Sequence, residues 1–266
     1  MFQNSIKRKF AASQTAWGAS LPDASDLLAL FTVNTGVDFL WVDLEHRPYE
    51  VDKVRWIPII CRQKNSACVV RVAGLDPQLI KKALDIGANT VMIPQVNNAD
   101  EAAQAVRFAK YPPQGCRGIS PLWTFFMDVS WDDYLPAAND ETCVIVQVET
   151  PEGMKNVESI AAVDGVDVVF AGPTDLSASM GHIGKTKHPD VQRFLAEFPR
   201  RVNNAGKVAG ITFGDEAQCR TAWEQGYRLI AFGSVLSHGT QGLQQQLARF
   251  RELDAPAAAR DSAGPG

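Results

Sequence analysis

Charged and polar side chains stand at the ends of four apolar runs in this 266-residue sequence. A single charged residue at the end of a buried strand is usually a solvated rim residue. Here several follow four different runs, and they are Asp43, Glu45, His46, Arg71, Gln147, Glu149 and Asp175. If the runs are parallel strands of one barrel, their carboxyl ends meet on one face, so these residues indicate a single site.

Glu149 and Asp175 follow consecutive predicted strands, so their carboxylates can face each other across that site. Two carboxylates that leave positions open for water and substrate suit a hard divalent cation such as Mg²⁺ or Mn²⁺. The alternative is that each residue caps a helix, and Asp175 in PTDLSASMG is well placed to do so. The pair alone leaves both interpretations open, and the neighbouring residues favour the metal.

His46 is the only histidine that has acids beside it at a predicted strand end, namely Asp43 and Glu45. A carboxylate next to an imidazole fixes its tautomer and supports a general base near neutral pH. A lone histidine is more often structural, and this interpretation is given to His182, His188 and His238. His46 is therefore the candidate base.

Two further features could bind an anion. Arg71 emerges from an otherwise apolar strand, where an unpaired guanidinium is costly, so it needs a partner such as a developing enolate or a substrate carboxylate. The segment Gly172-Pro173-Thr174-Asp175 opens a helix directly after a strand and points free backbone N–H groups at the same face. The plain alternative for this segment is a strand-to-helix turn.

Several reaction classes lack the residues they need. The predicted strands contain no lysine for a Schiff base, and the sequence has no G-x-S-x-G motif or dinucleotide fingerprint. A metal, an arginine, a histidine base and an anion cradle together suit reversible formation of a metal-bound enolate from a 2-oxo acid.

The elements that position these residues alternate between strand and helix. Short β-branched runs predict strands at 15–19, 37–45, 68–72, 90–96, 143–149, 166–171, 208–213 and 228–232. Helical patterns follow them, one beginning on Asp76 and Pro77, and a long loop is predicted at 114–140. Eight such units predict an α/β fold, a (β/α)8 TIM barrel. An open doubly wound sheet would need a Gly-rich turn after the first strand, which reads GASLPDAS instead.

Composition restricts the partners and the setting. Asp and Glu number 30 against 26 Lys and Arg, and the basic residues are dispersed, so we expect no nucleic-acid partner. No apolar run approaches the roughly 20 residues of a membrane span, and no signal peptide is evident, so we expect a cytoplasmic protein that binds a small molecule. The five cysteines form no C-x-x-C pair, which argues against a zinc site. One barrel domain is expected at 1–253 and a disordered tail at 254–266.

Several long segments, in matching order from about Asn4 to Phe250, carry a resemblance to one family. They include VDLEHRP, IKKALDIGANTVMIPQVNNADEA, RFAKYPPQGCRG, YLPAANDETCVIVQVET and VDGVDVVFAGPTDLSASMG. The sequence resembles the HpcH/HpaI family of class II, metal-dependent pyruvate aldolases. That resemblance implies a barrel with a swapped C-terminal helix, assembled as a homo-hexamer that is a trimer of dimers.

The resemblance also implies an activity. A Mg²⁺, Mn²⁺ or Co²⁺ ion held by Glu149 and Asp175 would be chelated by pyruvate. Arg71 matches the residue that stabilises the enolate oxygen, and His46 matches the one that transfers a proton with a bound water. The implied enzyme is a carbon–carbon lyase that reversibly cleaves a 4-hydroxy-2-oxo acid to pyruvate and an aldehyde through a metal-bound pyruvate enolate.

Further site residues follow from the same resemblance. Asp43 and Asp85 match acids that hold the catalytic histidine. The expected substrate contacts are Gln147, Gly172, Pro173, Thr174, Trp41 and Thr212, and Thr212 falls near the acceptor pocket.

Departures from the family pattern concern the second substrate. Leu44 and Arg47 replace small residues beside His46, and the segment SPLWTFFMDVSW is unusually aromatic. Trp41 is placed as in macrophomate-synthase-like enzymes, so decarboxylation of oxaloacetate at the same site is the alternative reaction. A phosphosugar isomerase that uses AFGSVLS as its phosphate loop and a catalytically silent barrel rank lower.

Overall fold

The computed structural model describes residues 3–253, so the tail predicted at 254–266 lies outside the described residues. Eight parallel strands close into a barrel in chain order. They are β1 (Ala16–Ser20), β2 (Phe39–Asp43), β3 (Ala67–Arg71), β4 (Thr90–Ile93), β5 (Cys143–Val148), β6 (Val168–Ala171), β7 (Val208–Thr212) and β8 (Leu229–Ala231). The predicted (β/α)8 barrel is confirmed, and each observed strand overlaps the predicted one.

The α-helices of the described residues precede, join and follow these strands. They are α1 (Ser5–Ala11), α2 (Asp26–Asn34), α3 (Ile57–Gln63), α4 (Pro77–Asp85), α5 (Ala99–Ala109), α6 (Trp123–Phe126), α7 (Trp131–Glu141), α8 (Pro151–Lys155), α9 (Val157–Ala161), α10 (Pro173–Ser179), α11 (Pro189–Asn203), α12 (Glu216–Gln225) and α13 (Val235–Leu253). Asp76 begins α4 as predicted, because its carboxylate accepts hydrogen bonds from the N–H groups of Gln78 and Leu79. Of the helices in the described range, none has the length and apolar character needed to cross a bilayer.

Successive strand residues alternate between the barrel interior and the layer beneath the helices. On β2, Phe39 and Trp41 belong to the interior cluster, whereas Leu40 and Val42 belong to the outer one. Helix α1 closes the amino end of the barrel, because Ile6 is fully buried in the interior cluster. Ligand access is therefore expected at the opposite end, where the strands finish.

The predicted loop at 114–140 is only partly a loop. It contains the short helix α6 and most of the eleven-residue helix α7. Trp123 on α6 and Tyr134 on α7 pack edge to face, with ring centroids 5.0 Å apart, in a small cluster separate from the main core. The apolar residues of α7 pack on this cluster rather than on a strand, and Pro136 interrupts the helical pattern. The sequence pattern therefore did not predict this helix.

Helix α13 does not pack as a barrel helix within its own chain. None of its side chains is buried among the described residues. Its exposed apolar side chains are Leu236, Leu243, Leu247, Phe250 and Leu253. An open cavity of about 570 Å³ lies beside β8 and α12 and is lined by Trp17, Trp223 and Phe232 among others. This arrangement is compatible with the predicted swap of the C-terminal helix, which stays a prediction.

Candidate active site

Asp43 and Arg71 are direct neighbours because β2 and β3 pair with these two residues in register. Arg71 donates from Nε to Asp43 Oδ1 at 2.9 Å and from Nη2 to Asp43 Oδ2 at 2.7 Å. Arg71 Nη1 lies 2.9 Å from Glu45 Oε2. The anionic partner expected for Arg71 is thus already present in the chain, as two carboxylates.

This pairing sets the charge of Asp43. Burial disfavours the charged carboxylate, but hydrogen bonds from Arg71 and its positive charge outweigh that effect and lower the pKa of Asp43. Arg71 is only 6 % exposed, and its guanidinium also lies over the Trp41 ring, 4.9 Å from the centroid. The guanidinium is therefore held in one orientation at the carboxyl end of the barrel.

Gln147 connects Arg71 to Glu149. Its Oε1 accepts from Arg71 Nη1 at 3.4 Å, and its Nε2 donates to Glu149 Oε2. Glu149 Oε1 accepts from the backbone N–H of Gln95 at 3.1 Å. One network of hydrogen bonds thus orients the arginine and a predicted metal ligand together.

The carboxylates of Glu45, Glu149 and Asp175 crowd together at this end of the barrel. Burial, followed by the negative charges of Glu45 and Asp175, raises the pKa of Glu149 to about 7. Such crowding is unfavourable unless a cation neutralises it. The donor set therefore fits a hard divalent ion held by Glu149 and Asp175.

The alternative role for these two acids was helix capping, and the hydrogen bonds contradict it. Thr150, not Glu149, caps α8, through a hydrogen bond from Gly153 N–H to its Oγ1. The N-cap of α10 is Gly172, with no side-chain cap, and Asp175 stands in the first helical turn. Both carboxylates are thus available to the site.

The His46 imidazole lies at the rim and is 54 % exposed. Its Nε2 is 3.7 Å from Glu45 Oε2 and 3.9 Å from Asp175 Oδ2. Asp43 instead accepts the backbone N–H groups of Glu45 and His46, at 3.0 and 3.4 Å. Asp43 therefore shapes the turn that carries His46, whereas the acids near the ring are Glu45 and Asp175.

Asp85 is not brought to this site within one chain, contrary to the expectation that it holds His46. It is the last residue of α4, which runs back to the start of β4 at the amino end of the barrel. There its carboxylate accepts a hydrogen bond from Arg117 Nη2 at 2.7 Å. Burial raises the pKa of Asp85, although the hydrogen bond and charge of Arg117 oppose this.

A cavity of about 370 Å³ opens between these groups. Its lining residues are Trp41, His46, Arg71, Gln147, Phe170, Gly172, Pro173, Thr174, Asp175 and Thr212. All of them except Phe170 were predicted site residues. Phe170 packs edge to face on Trp41, with centroids 5.5 Å apart, and its inward position on a strand was the signal that could have found it.

A second group of possible ligands lies elsewhere. Atoms of His182, His188 and Asp190 all fall within 4.8 Å of one another. The two imidazoles are stacked, with centroids 3.4 Å apart and planes 17° apart, so their in-plane lone pairs do not point at a common ion. His188 Nδ1 accepts from Asp190 N–H and caps α11, which is the structural role predicted for it.

A closed barrel with carboxylates, an arginine and a histidine around a cavity at the strand ends has the layout of a (β/α)8-barrel enzyme. The chain belongs to the HpcH/HpaI aldolase/citrate lyase family, whose sequence pattern matches residues 19–240. The predicted family is therefore confirmed.

Relatives in this family carry aldolase names, which denote carbon–carbon lyases. The chain is 37 % identical to the hydroxypyruvate/pyruvate aldolase of Roseobacter denitrificans, over 86 % of this chain and 90 % of that one. It is 38 % identical to the 4-hydroxy-2-oxo-heptane-1,7-dioate aldolase of Shigella sonnei, over 93 % of this chain and 95 % of that one. A crystal structure of a family member from Burkholderia cenocepacia J2315 superposes with a TM-score of 0.87 at 38 % identity, covering 94 % of this chain and 100 % of that one.

Proposed function

We propose that this protein is a divalent-metal-dependent aldolase that reversibly cleaves a 4-hydroxy-2-oxo acid to pyruvate and an aldehyde. The observation that carries the proposal is the position of buried Glu149, with its pKa raised to about 7, among Glu45, Asp175 and Arg71. That arrangement suits a bound cation and an anionic substrate in the same cavity. The aldolase names of the relatives support the reaction class.

Glu149 and Asp175 would hold the ion, which can be Mg²⁺, Mn²⁺ or Co²⁺. When bound, the ion acts as a Lewis acid that polarises the keto group of the substrate. Side chains of the protein carry out the remaining steps, which are charge stabilisation and proton transfer. The donor set consists of oxygen atoms, which is the preference of hard cations.

Arg71 stabilises the negative charge that develops on the enolate oxygen as the carbon–carbon bond breaks. Its Nε and Nη2 donate to the two Asp43 oxygens and its Nη1 donates to Gln147 Oε1, which leaves one N–H on Nη1 and one on Nη2 for the substrate. Because Asp43 fixes the guanidinium in advance, little reorganisation is needed during the reaction.

His46 is positioned to remove the proton from the C4 hydroxyl, directly or through a water molecule. Its ring lies at the rim of the cavity, next to Glu45, where it would meet the part of the substrate that leaves as the aldehyde. The first turn of α10 brings the backbone of Thr174 to the same cavity, where it would receive the substrate carboxylate. Trp41 and Thr212 would contact the substrate from β2 and β7.

The test is release of pyruvate from 4-hydroxy-2-oxo acids, followed with a coupled assay before and after removal of metal by a chelator. We expect activity that the chelator abolishes and Mn²⁺ restores, together with exchange of the C3 protons of pyruvate in D₂O. Protein that shows neither cleavage nor exchange with any such acid contradicts the proposal. Oxaloacetate decarboxylation is measured in parallel, and CO₂ release without aldol cleavage would favour that alternative.

The assembly is a separate part of the proposal. We propose a homo-oligomer, a hexamer built as a trimer of dimers, in which α13 covers the barrel of another copy. The exposed apolar residues of α13 and the open cavity beside β8 support this arrangement. Light scattering of the purified protein measures the mass, and a monomer at micromolar concentration would contradict it.

A further inference from the structure

The loop that follows β4 presents a backbone N–H to Glu149 from an unusual conformation. Gln95 has a φ of +56°, in the left-handed region that residues other than glycine rarely adopt. In this conformation its N–H donates to Glu149 Oε1 at 3.1 Å. An uncommon backbone conformation beside a functional group persists only when surrounding contacts hold it.

Asn97 supplies those contacts. Its Nδ2 donates to the Gln95 carbonyl at 2.8 Å, and its Oδ1 accepts from Thr150 Oγ1. Thr150 directly follows Glu149, so Asn97 ties the loop after β4 to the loop after β5. The Asn97 carbonyl in turn accepts from Asn156 Nδ2 at 2.7 Å, which anchors Asn97 itself.

Glu149 is well placed to respond to this arrangement. Glu149 is 3 % exposed, so solvent cannot replace a lost hydrogen bond easily. Oε1 accepts from Gln95 and Oε2 accepts from Gln147, which leaves a lone pair on each oxygen for a cation. A shift of the Gln95 N–H would therefore turn the carboxylate away from that geometry.

We propose that Asn97 is a positioning residue for the metal site: it holds Gln95 in the left-handed conformation, so that the Gln95 N–H orients Glu149 for a divalent cation. This inference rests on the proposed function, because it requires that Glu149 binds the ion. Groups that hydrogen-bond to metal ligands without touching the metal change metal affinity by about 10–100-fold when they are replaced.

The experiment is calorimetric titration of Mn²⁺ into the metal-free, full-length protein. We expect Asn97→Ala to weaken Mn²⁺ binding by about 10-fold, the low end of that range, because Asn97 acts on Glu149 through Gln95. Asn98→Ala is the matched control, because Asn98 caps α5 through Glu101 N–H and has no hydrogen bond to Gln95 or Thr150. Its melting temperature should fall, whereas its affinity for Mn²⁺ should equal that of the wild type.

A rescue separates positioning from general loosening of the loop. Glycine adopts positive φ values without support, so Asn97→Ala combined with Gln95→Gly should regain most of the Mn²⁺ affinity. A loop that had merely become flexible would be loosened further by glycine. A double variant that binds no better than Asn97→Ala would therefore overturn the inference.

Asn97→Asp provides the same test with the two loops still joined. It keeps the oxygen that accepts from Thr150 and loses the donor to Gln95. Its added negative charge would strengthen cation binding, so weaker binding in this variant must come from the lost contact. Circular dichroism checks that both Asn97 variants are folded. If both bind Mn²⁺ as tightly as the wild type or more tightly, the role of Asn97 is overturned, whereas the proposed metal site is not. Wild-type protein that binds no Mn²⁺ overturns the proposed metal site and the inference together.

Discussion

Gly172 lies so close to Glu149 that a larger residue would have to displace the Glu149 or Gln147 side chain. A β-carbon added to Gly172 would stand 2.4 Å from Glu149 Oε2 and 2.7 Å from Gln147 Nε2. The backbone of Gly172, with φ −98° and ψ 88°, is open to other residues, so space and not conformation demands the glycine. The absence of a side chain at the start of α10 is thus part of the construction of the carboxylate site.

Gly172→Ala should displace the Glu149 carboxylate and weaken Mn²⁺ binding by about 10-fold or more, with a matching loss of chelator-sensitive pyruvate release. Calorimetric titration and the coupled assay measure the two effects. Gly74→Ala is the control, because a β-carbon there meets no atom of the described residues within 4 Å and its φ is not positive. Equal Mn²⁺ affinity in both variants would show that Glu149 does not bind the ion.

Arg71→Lys should reduce turnover by about 10²–10³-fold while Mn²⁺ still binds. Lysine keeps the charge but lacks the planar fork that donates to both oxygens of Asp43. Steady-state kinetics and Mn²⁺ titration are compared for the same preparation. Arg62→Lys is the control, since Arg62 donates from Nε to the Gly87 carbonyl at 2.8 Å and its guanidinium lies over the Trp123 ring, so it contacts none of the candidate site residues named here. Full turnover in Arg71→Lys would contradict the role of Arg71 in stabilising the enolate oxygen.

The metal-free protein should lose stability as the pH rises from about 4.5 to about 7. Burial and the charges of Glu45 and Asp175 raise the pKa of Glu149 to about 7, above its usual 4.5, so the folded state retains a proton that the unfolded state releases. The stabilisation that Glu149 contributes is complete below its pKa in the unfolded chain and is lost as the pH rises through its pKa in the folded chain. It amounts to up to roughly 3 kcal/mol.

Urea unfolding at pH 5 and pH 8, with chelator present, measures this dependence. Glu149→Gln should flatten it, because the amide does not titrate, whereas Glu152→Gln, at an exposed position on α8, should follow the wild type. If the wild type and Glu149→Gln change equally with pH, Glu149 is not the group responsible.

Leu243→Glu should dissociate the proposed oligomer without unfolding the chain. Leu243 is 75 % exposed within one chain, so a charge there costs little unless a second copy covers it. Gln245→Glu adds the same charge two positions along α13, on another face of the helix. Light scattering should show a smaller mass for Leu243→Glu only. An unchanged mass would place the interface elsewhere.

Patterns local in sequence predicted most of the barrel. Each strand is a short apolar run, and Asp76 caps its helix through N–H groups only two and three residues away. Such patterns did not predict helix α7, because its buried residue Tyr134 packs on Trp123 rather than on a strand. Hydrophobic periodicity in a sequence indicates a helix only when the helix buries one face against the main core.

The sequence predicted those parts of the candidate site that lie at strand ends. Parallel strands of a closed barrel end on one face, so the positions of His46, Arg71 and Glu149 sufficed to bring them together. Within one chain Asp85 lies at the other end of the barrel and bonds Arg117, because a resemblance identifies a residue type at a position but does not say where the fold carries it; its role toward the histidine stays a prediction.

The sequence by itself determined the barrel, the family and the end of the barrel that carries the site, because alternation of strand and helix and the order of motifs are local properties. Only the tertiary structure decided the partners: Asp43 for Arg71 through strand register, and the Gln95 N–H for Glu149 through the path of a loop. Gln95 and Glu149 are far apart in sequence, and a hydrogen bond that depends on atomic distance and direction has no signature in either segment.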